Sequence, residues 1–87
     1  MYADSYSEEI TRKLSKLKKK DAKHYQNVRK KMDWILENPQ HRYKDLHYDL
    51  KSIKRIHIGH FVLTFIIDSN TRVVSFEDYD HHDKIYK

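Results

Sequence analysis

The chain has 87 residues and a net charge of +5, from 18 Lys and Arg against 13 Asp and Glu. That length predicts one small domain over residues 1–87, with a core modest enough to gain from a partner that adds apolar contact. It has no cysteine, which excludes disulfides, zinc–thiolate sites and cysteine nucleophiles, and no apolar run approaches the roughly 20 residues a bilayer span needs.

In chain order, Met1–Tyr6 is polar with two tyrosines and is a candidate short edge strand. Ser7-Glu8-Glu9 reads as a helix start, a capping hydroxyl followed by acids in the first turn. Ile10, Leu14 and Leu17 then form one apolar stripe, surrounded by Arg12, Lys13, Lys16, Lys18, Lys19 and Lys20, and the helix is expected to end near Lys20. Asp21 is the next capping residue. Tyr25, Val28, Met32, Ile35 and Leu36 make a second stripe, with Trp34 expected to pack between the helices, and Asn38-Pro39 stops it. Two helices with almost no linker predict an antiparallel hairpin laid on one face of a sheet.

Pro39–Leu50 holds Arg42, Tyr43, Lys44, His47 and Tyr48 with few aliphatic anchors, and reads as a loop leading back to the sheet. Three strands follow: Ile53–Ile58, Phe61–Ile67 and Arg72–Phe76. Gly59-His60 joins the first two as a type II′ turn, and Asp68-Ser69-Asn70-Thr71 joins the next pair. The middle strand is apolar on both faces and is expected to be central. The fold class is therefore α+β, a helical hairpin packed on a small twisted antiparallel sheet.

Charge is unevenly spread. Residues 12–55 hold 15 basic and 5 acidic side chains, while residues 1–11 carry −3 and residues 56–87 carry −2. Such a block attracts phosphates, an acidic protein segment or an anionic surface.

Arg55, His57, His81, His82 and Tyr86 form the constellation with a chemical logic. Imidazoles are matched to proton transfer near neutral pH, a guanidinium stabilises charge on a phosphate, and a phenol can stack on a base. Together they suit cleavage of RNA by its own 2′-hydroxyl, a reaction that needs no metal or cofactor. Blander readings stand beside this one: the His pair as a surface feature, the lysine run as a solvated helix face, Tyr86 as a cap on the core. Asp78, Asp80 and Asp83 around the pair also permit a divalent metal site.

The Ser7–Leu17 helix start, the Leu36-Glu37-Asn38-Pro39 helix end, the Leu50–Phe65 hairpin and the Asp80–Tyr86 tail together resemble the RelE/ParE superfamily of toxin–antitoxin toxins. The RelE-like mRNA interferase branch is the closer match. The resemblance implies a ribosome-dependent mRNA endonuclease that inhibits translation in the cytoplasm. It further implies a small RelB-like antitoxin as partner, alongside ribosome and mRNA, with no membrane and no small-molecule cofactor. Arg55 and His57 would hold or activate the scissile phosphate, His81 and His82 transfer protons, and Tyr86 stack or aid deprotonation. Lys18, Lys19, Lys20, Lys51 and Lys54 would contact RNA phosphates. Val62 and His82 stand where the family often has arginine. A non-catalytic ParE-like toxin, or a basic RNA- or protein-binding module, is the alternative.

Overall fold

The computed structural model describes residues 1–47 and 50–86, with the side chains of Leu50 and Lys51 outside that description. Strand β1 (Ala3–Tyr6) leads into helices α1 (Glu8–Lys20) and α2 (Ala22–Glu37). Strands β2 (Lys44–His47), β3 (Leu50–Ile58), β4 (Phe61–Asp68) and β5 (Val73–His81) follow, and a short helix α3 (His82–Ile85) comes last. The strands make one sheet in the order β1-β5-β4-β3-β2, with β4 central as its double-sided apolar pattern requires. The pairings from β2 to β5 are antiparallel, whereas β1 runs parallel to β5, so the sheet is mixed.

Both helix starts form where the sequence places them. The Ser7 hydroxyl accepts a hydrogen bond from the Ile10 amide at 3.0 Å, satisfying one of the donors that every helix N-terminus exposes. Asp21 closes α1 and opens α2 at once: its amide donates to the Leu17 carbonyl, and its carboxylate accepts from the His24 amide. One residue thus makes the whole connection. Ile10 and Leu14 from α1 are buried, and so are Val28, Met32, Ile35 and Leu36 from α2. They pack on Leu63, Phe65, Val74, Phe76 and Tyr79 of the sheet. Burying these side chains at about 25 cal/mol per Å² of apolar area is the main force holding the hairpin down.

Four expectations are corrected. Pro39–Leu50 is not all loop, because Lys44–His47 pairs antiparallel with β3 as an edge strand, and β3 itself begins at Leu50 rather than Ile53. Arg72 is not the first residue of β5; it sits in the preceding turn at φ +57°, a left-handed conformation that L-residues seldom adopt. The last strand does not end at Phe76 but continues to His81 across a bulge: Thr64 pairs with Asp78 and Phe65 with Phe76, leaving Glu77 as the extra residue. The Glu77 carbonyl accepts instead from the Ser7 hydroxyl. Trp34 does not lie between the helices. It is 41% exposed, with its ring edge-on to His41 and Tyr43.

Gly59 has φ +62° with His60 outside the left-handed region, as the expected tight turn between β3 and β4 demands.

Candidate functional site

Register decides which side chains share a face, since residues directly opposite each other on neighbouring strands point the same way. Lys44, Arg55 and Thr64 lie in one such row, and His57, Val62 and Asp80 in the next. Ile56 and Ile58 alternate with Arg55 and His57 and pack against the helical core, so Arg55 and His57 face away from it. Val62 is wholly buried yet lies outside the cluster under the helices. It gives the row beside His57 an apolar floor.

Helix α3 brings Tyr86 onto this face. One turn of helix separates the His82 carbonyl from the Tyr86 amide, which are hydrogen-bonded at 3.0 Å. The Arg55 guanidinium carbon then lies 5.8 Å from the Tyr86 ring centroid, within cation–π range. The His57 ring is near-parallel to the Tyr86 ring at 6.3 Å, and His47 meets the same ring edge-on at 6.3 Å. The Tyr86 hydroxyl is buried without a hydrogen-bond partner among the described residues. Arg55 is steadied from β2, its Nε donating to the Asp45 carbonyl at 2.9 Å, and among the described residues its two terminal nitrogens make no hydrogen bond.

Two concavities meet at Arg55. One of about 560 Å³ is lined by Arg42, Lys44, Asp45, His47 and Arg55. The other, about 330 Å³, is lined by His41, Arg42, Lys44, Arg55 and His57. Volumes of this order accept a nucleotide-sized group.

The second group forms where α3 begins. The His81 and His82 ring centroids are 4.4 Å apart, and the His60 ring lies 6.2 Å from that of His81 and 6.4 Å from that of His82. The His82 amide donates to the His60 carbonyl at 2.9 Å, which ties the β3–β4 turn to α3. His82 Nδ1 lies 3.0 Å from one Asp83 oxygen, and His81 Nδ1 3.5 Å from the other. Of the five residues singled out in the sequence, the structure thus gathers Arg55, His57 and Tyr86 in one cluster and His81 and His82 in another. Tyr86 joins the two through its backbone. Among the described residues the ring and ion-pair contacts of His81 and His82 run to His60, Phe61 and Asp83, not to Arg55.

The acids beside the pair separate sharply. Asp78 and Asp80 each accept from Lys13 Nζ at 2.8 Å, so they are engaged by α1 and do not join Asp83 around the imidazoles. Burial alone works against the Lys13 ammonium, but the hydrogen bonds from Asp78 and Asp80 and their charges outweigh it and raise its pKa. Burial likewise raises the Asp80 pKa, yet the Lys13 hydrogen bond and the His81 amide win and hold it below the usual carboxylate value.

The lysines fall in different places. Lys18 lies over the Tyr25 ring at 5.6 Å, and Lys19 and Lys20 are exposed on the last turn of α1, in the helical layer on the opposite side of the sheet from Arg55. Lys20 does line a concavity of about 390 Å³ with Lys13, Lys16 and Lys84 beside Asp80. Lys54 is ion-paired with Asp45. The Lys51 side chain lies outside the described residues. Sequence reasoning missed Arg42, Lys44, His47 and His60 as parts of the site. The signal for the first two was the basic spacing Arg42-x-Lys44, which reads as a strand edge only once β2 is known to pair with β3.

No family model matches the chain. A protein of Methanosarcina mazei is 51% identical over 87 residues, covering 99% of this chain and 100% of its own length. A Methanocaldococcus jannaschii protein carrying the name "Putative toxin RelE4" is 44% identical over 88 residues, covering 100% of this chain and 93% of its own. Among solved structures, the isolated E. coli RelE toxin superposes with a TM-score of 0.78 at 17% identity, over 93% of this chain and 84% of its own. The RelBE2 toxin–antitoxin complex of Mycobacterium tuberculosis gives 0.75 at 21%, over 93% and 98%. A histidine-to-glutamine variant of E. coli YafQ gives 0.73 at 17% over the full length of both chains. At these identities the solved structures speak for the fold.

Proposed function

The chain belongs to the RelE toxin family, and from that premise we propose that it is the toxin of a toxin–antitoxin module that cuts mRNA on the ribosome. The observation that carries the reading is the Arg55–Tyr86–His57 cluster on the sheet face away from the helices, whose Arg55 also lines a concavity with Arg42, Lys44 and His47 along β2.

The reaction follows from that chemistry. An mRNA strand lies across β2 and β3, its phosphates drawn by Arg42, Lys44 and Arg55 and one base stacked near Tyr86. A histidine of the His81–His82 pair removes the 2′-hydroxyl proton, and the resulting oxygen attacks the adjacent phosphorus. Arg55, already oriented by the Asp45 carbonyl, neutralises the charge that builds on the phosphoryl oxygens, with His57 beside it. The bond to the 5′ oxygen breaks, a protonated imidazole supplies that oxygen's proton, and a 2′,3′-cyclic phosphate is left. No metal ion is needed to balance these steps. The partner is a small antitoxin, as in the RelBE2 toxin–antitoxin complex, and the basic surfaces of the helical layer suit an acidic segment of it.

Primer extension on ribosome-bound mRNA, after induction of the chain in a host without its antitoxin, tests this. Site-specific breaks are expected, and they should vanish in Arg55→Ala and His82→Ala. Growth arrest with intact mRNA, surviving the combined loss of His81, His82 and Tyr86 side chains, would instead mean that the chain blocks its target without cutting.

A further inference from the structure

We infer that His81, His82 and Asp83 form a site for a dication of the zinc class, with the His60 imidazole at its margin. Their ligand atoms all lie within 4.8 Å of one another. Four-coordinate zinc holds nitrogen and oxygen ligands at about 2.0–2.2 Å, which places neighbouring ligand atoms about 3.4 Å apart. The imidazole–carboxylate separations here, 3.0 Å from His82 and 3.5 Å from His81, run to the two different Asp83 oxygens and lie near that spacing. His81 Nδ1 also accepts from the Asp83 amide at 3.3 Å, a bond that an ion held at that nitrogen replaces. The remaining adjustment is a rotation of partly exposed side chains.

The donor set matches such an ion rather than magnesium or calcium, which favour oxygen ligands. Asp83 is also the carboxylate of this segment that is left to serve, because Lys13 engages Asp78 and Asp80. Among the described residues its ion-pair partners are the two imidazoles. Three protein ligands leave a fourth position, and the His60 ring, carried on the β3–β4 turn, lies beside both histidines to fill it or to hold a water there.

The site has a consequence that rests on the proposed nuclease chemistry. An ion occupying the lone pairs of His81 and His82 takes both imidazoles out of proton transfer. Bound zinc therefore silences the toxin without blocking the RNA path at Arg55.

The test uses the purified chain. Titration with Co²⁺ should produce the visible bands of tetrahedral cobalt at one ion per chain, and Zn²⁺ should displace them. Asp83→Asn and His82→Gln should each weaken binding at least ~10-fold, while His41→Gln, whose ring packs on Trp34 and Tyr43 instead, should not. Circular dichroism confirms that each variant is folded. Absence of the bands, or affinities unchanged by Asp83→Asn and His82→Gln, overturns the site. In a separate arm, Zn²⁺ should suppress ribosome-dependent cleavage and a chelator restore it. Saturating Zn²⁺ that leaves cleavage intact overturns the silencing. A chain that binds cobalt but never cuts RNA keeps the metal site and removes the nuclease reading.

Discussion

The Arg55 guanidinium carbon lies 5.8 Å from the centroid of the Tyr86 ring, joining a residue of the third strand to one just past the last helical turn. The phenol face and the Asp45 carbonyl hold the guanidinium, and its outer nitrogens make no hydrogen bond among the described residues. Arg55→Ala should therefore lower cleavage roughly 100-fold, the usual loss for one transition-state donor. Arg55→Lys should recover little of it, because an ammonium keeps the charge but neither stacks nor forks. Single-turnover cleavage of ribosome-bound mRNA checks both, with melting temperatures to show intact folds.

Tyr86 buries a hydroxyl that has no partner among the described residues, a state that costs about 1–3 kcal/mol. Tyr86→Phe should leave thermal stability unchanged or raise it by up to ~1 kcal/mol. If the hydroxyl serves the reaction, the same variant should cut RNA more slowly while still binding it. A variant that is less stable than the parent would show that the hydroxyl is satisfied in solution.

Lys13 spans Asp78 and Asp80, and its removal leaves two carboxylates side by side on a partly buried strand. Lys13→Met should cost about 1–2 kcal/mol, read by urea unfolding. The sign with pH is fixed by direction. Asp80 titrates below its unfolded value in the native chain, so its contribution is present above the unfolded pKa and is lost as pH falls through the folded one. Lys13 titrates above its unfolded value, so its share is present below about pH 10.4 and fades only at more alkaline pH. The parent should lose stability on acidification below about pH 4 more steeply than Lys13→Met does.

Arg72 holds φ +57° in the turn before β5, a conformation costing an L-residue about 1–2 kcal/mol. Arg72→Gly relieves that strain but adds freedom to the unfolded chain, so a net gain of at most ~1 kcal/mol is expected. The melting temperature should rise by a few degrees with cleavage unaffected, since Arg72 is remote from both histidine and arginine clusters.

Local signals made the helices and the central strands legible. Ser7 and Asp21 cap where a side-chain oxygen precedes an apolar stripe, and Phe61–Ile67 is apolar on both faces because β4 lies in the middle of the sheet. The strand Lys44–His47 was hidden because an edge strand with Leu46 as its one aliphatic residue has no alternation to read. The extension of β5 to His81 was hidden for another reason: the bulge at Glu77 breaks the period of two, and Asp78 and Asp80 look solvated until Lys13, over 60 residues earlier, reaches them. Residue chemistry grouped Arg55, His57, His81, His82 and Tyr86 as one constellation, but spacing in the sequence could not divide it. The structure brings Arg55, His57 and Tyr86 together and sets the two histidines in a second group. That His81 and His82 keep company with His60 and Asp83 follows from α3, a single turn too short to leave a periodic trace.

Ser7 ends the first strand, starts the first helix and binds the Glu77 carbonyl 70 residues later. The sheet therefore cannot take in its N-terminal strand before residues 73–77 have been synthesised, and His81, His82 and Tyr86 follow only a few positions after that. A nascent chain still short of this point carries neither a closed sheet nor the cluster around Tyr86. Whatever the face around Tyr86 acts on, it can do so only after the late segment has emerged and docked, so the order of synthesis itself delays assembly of that face.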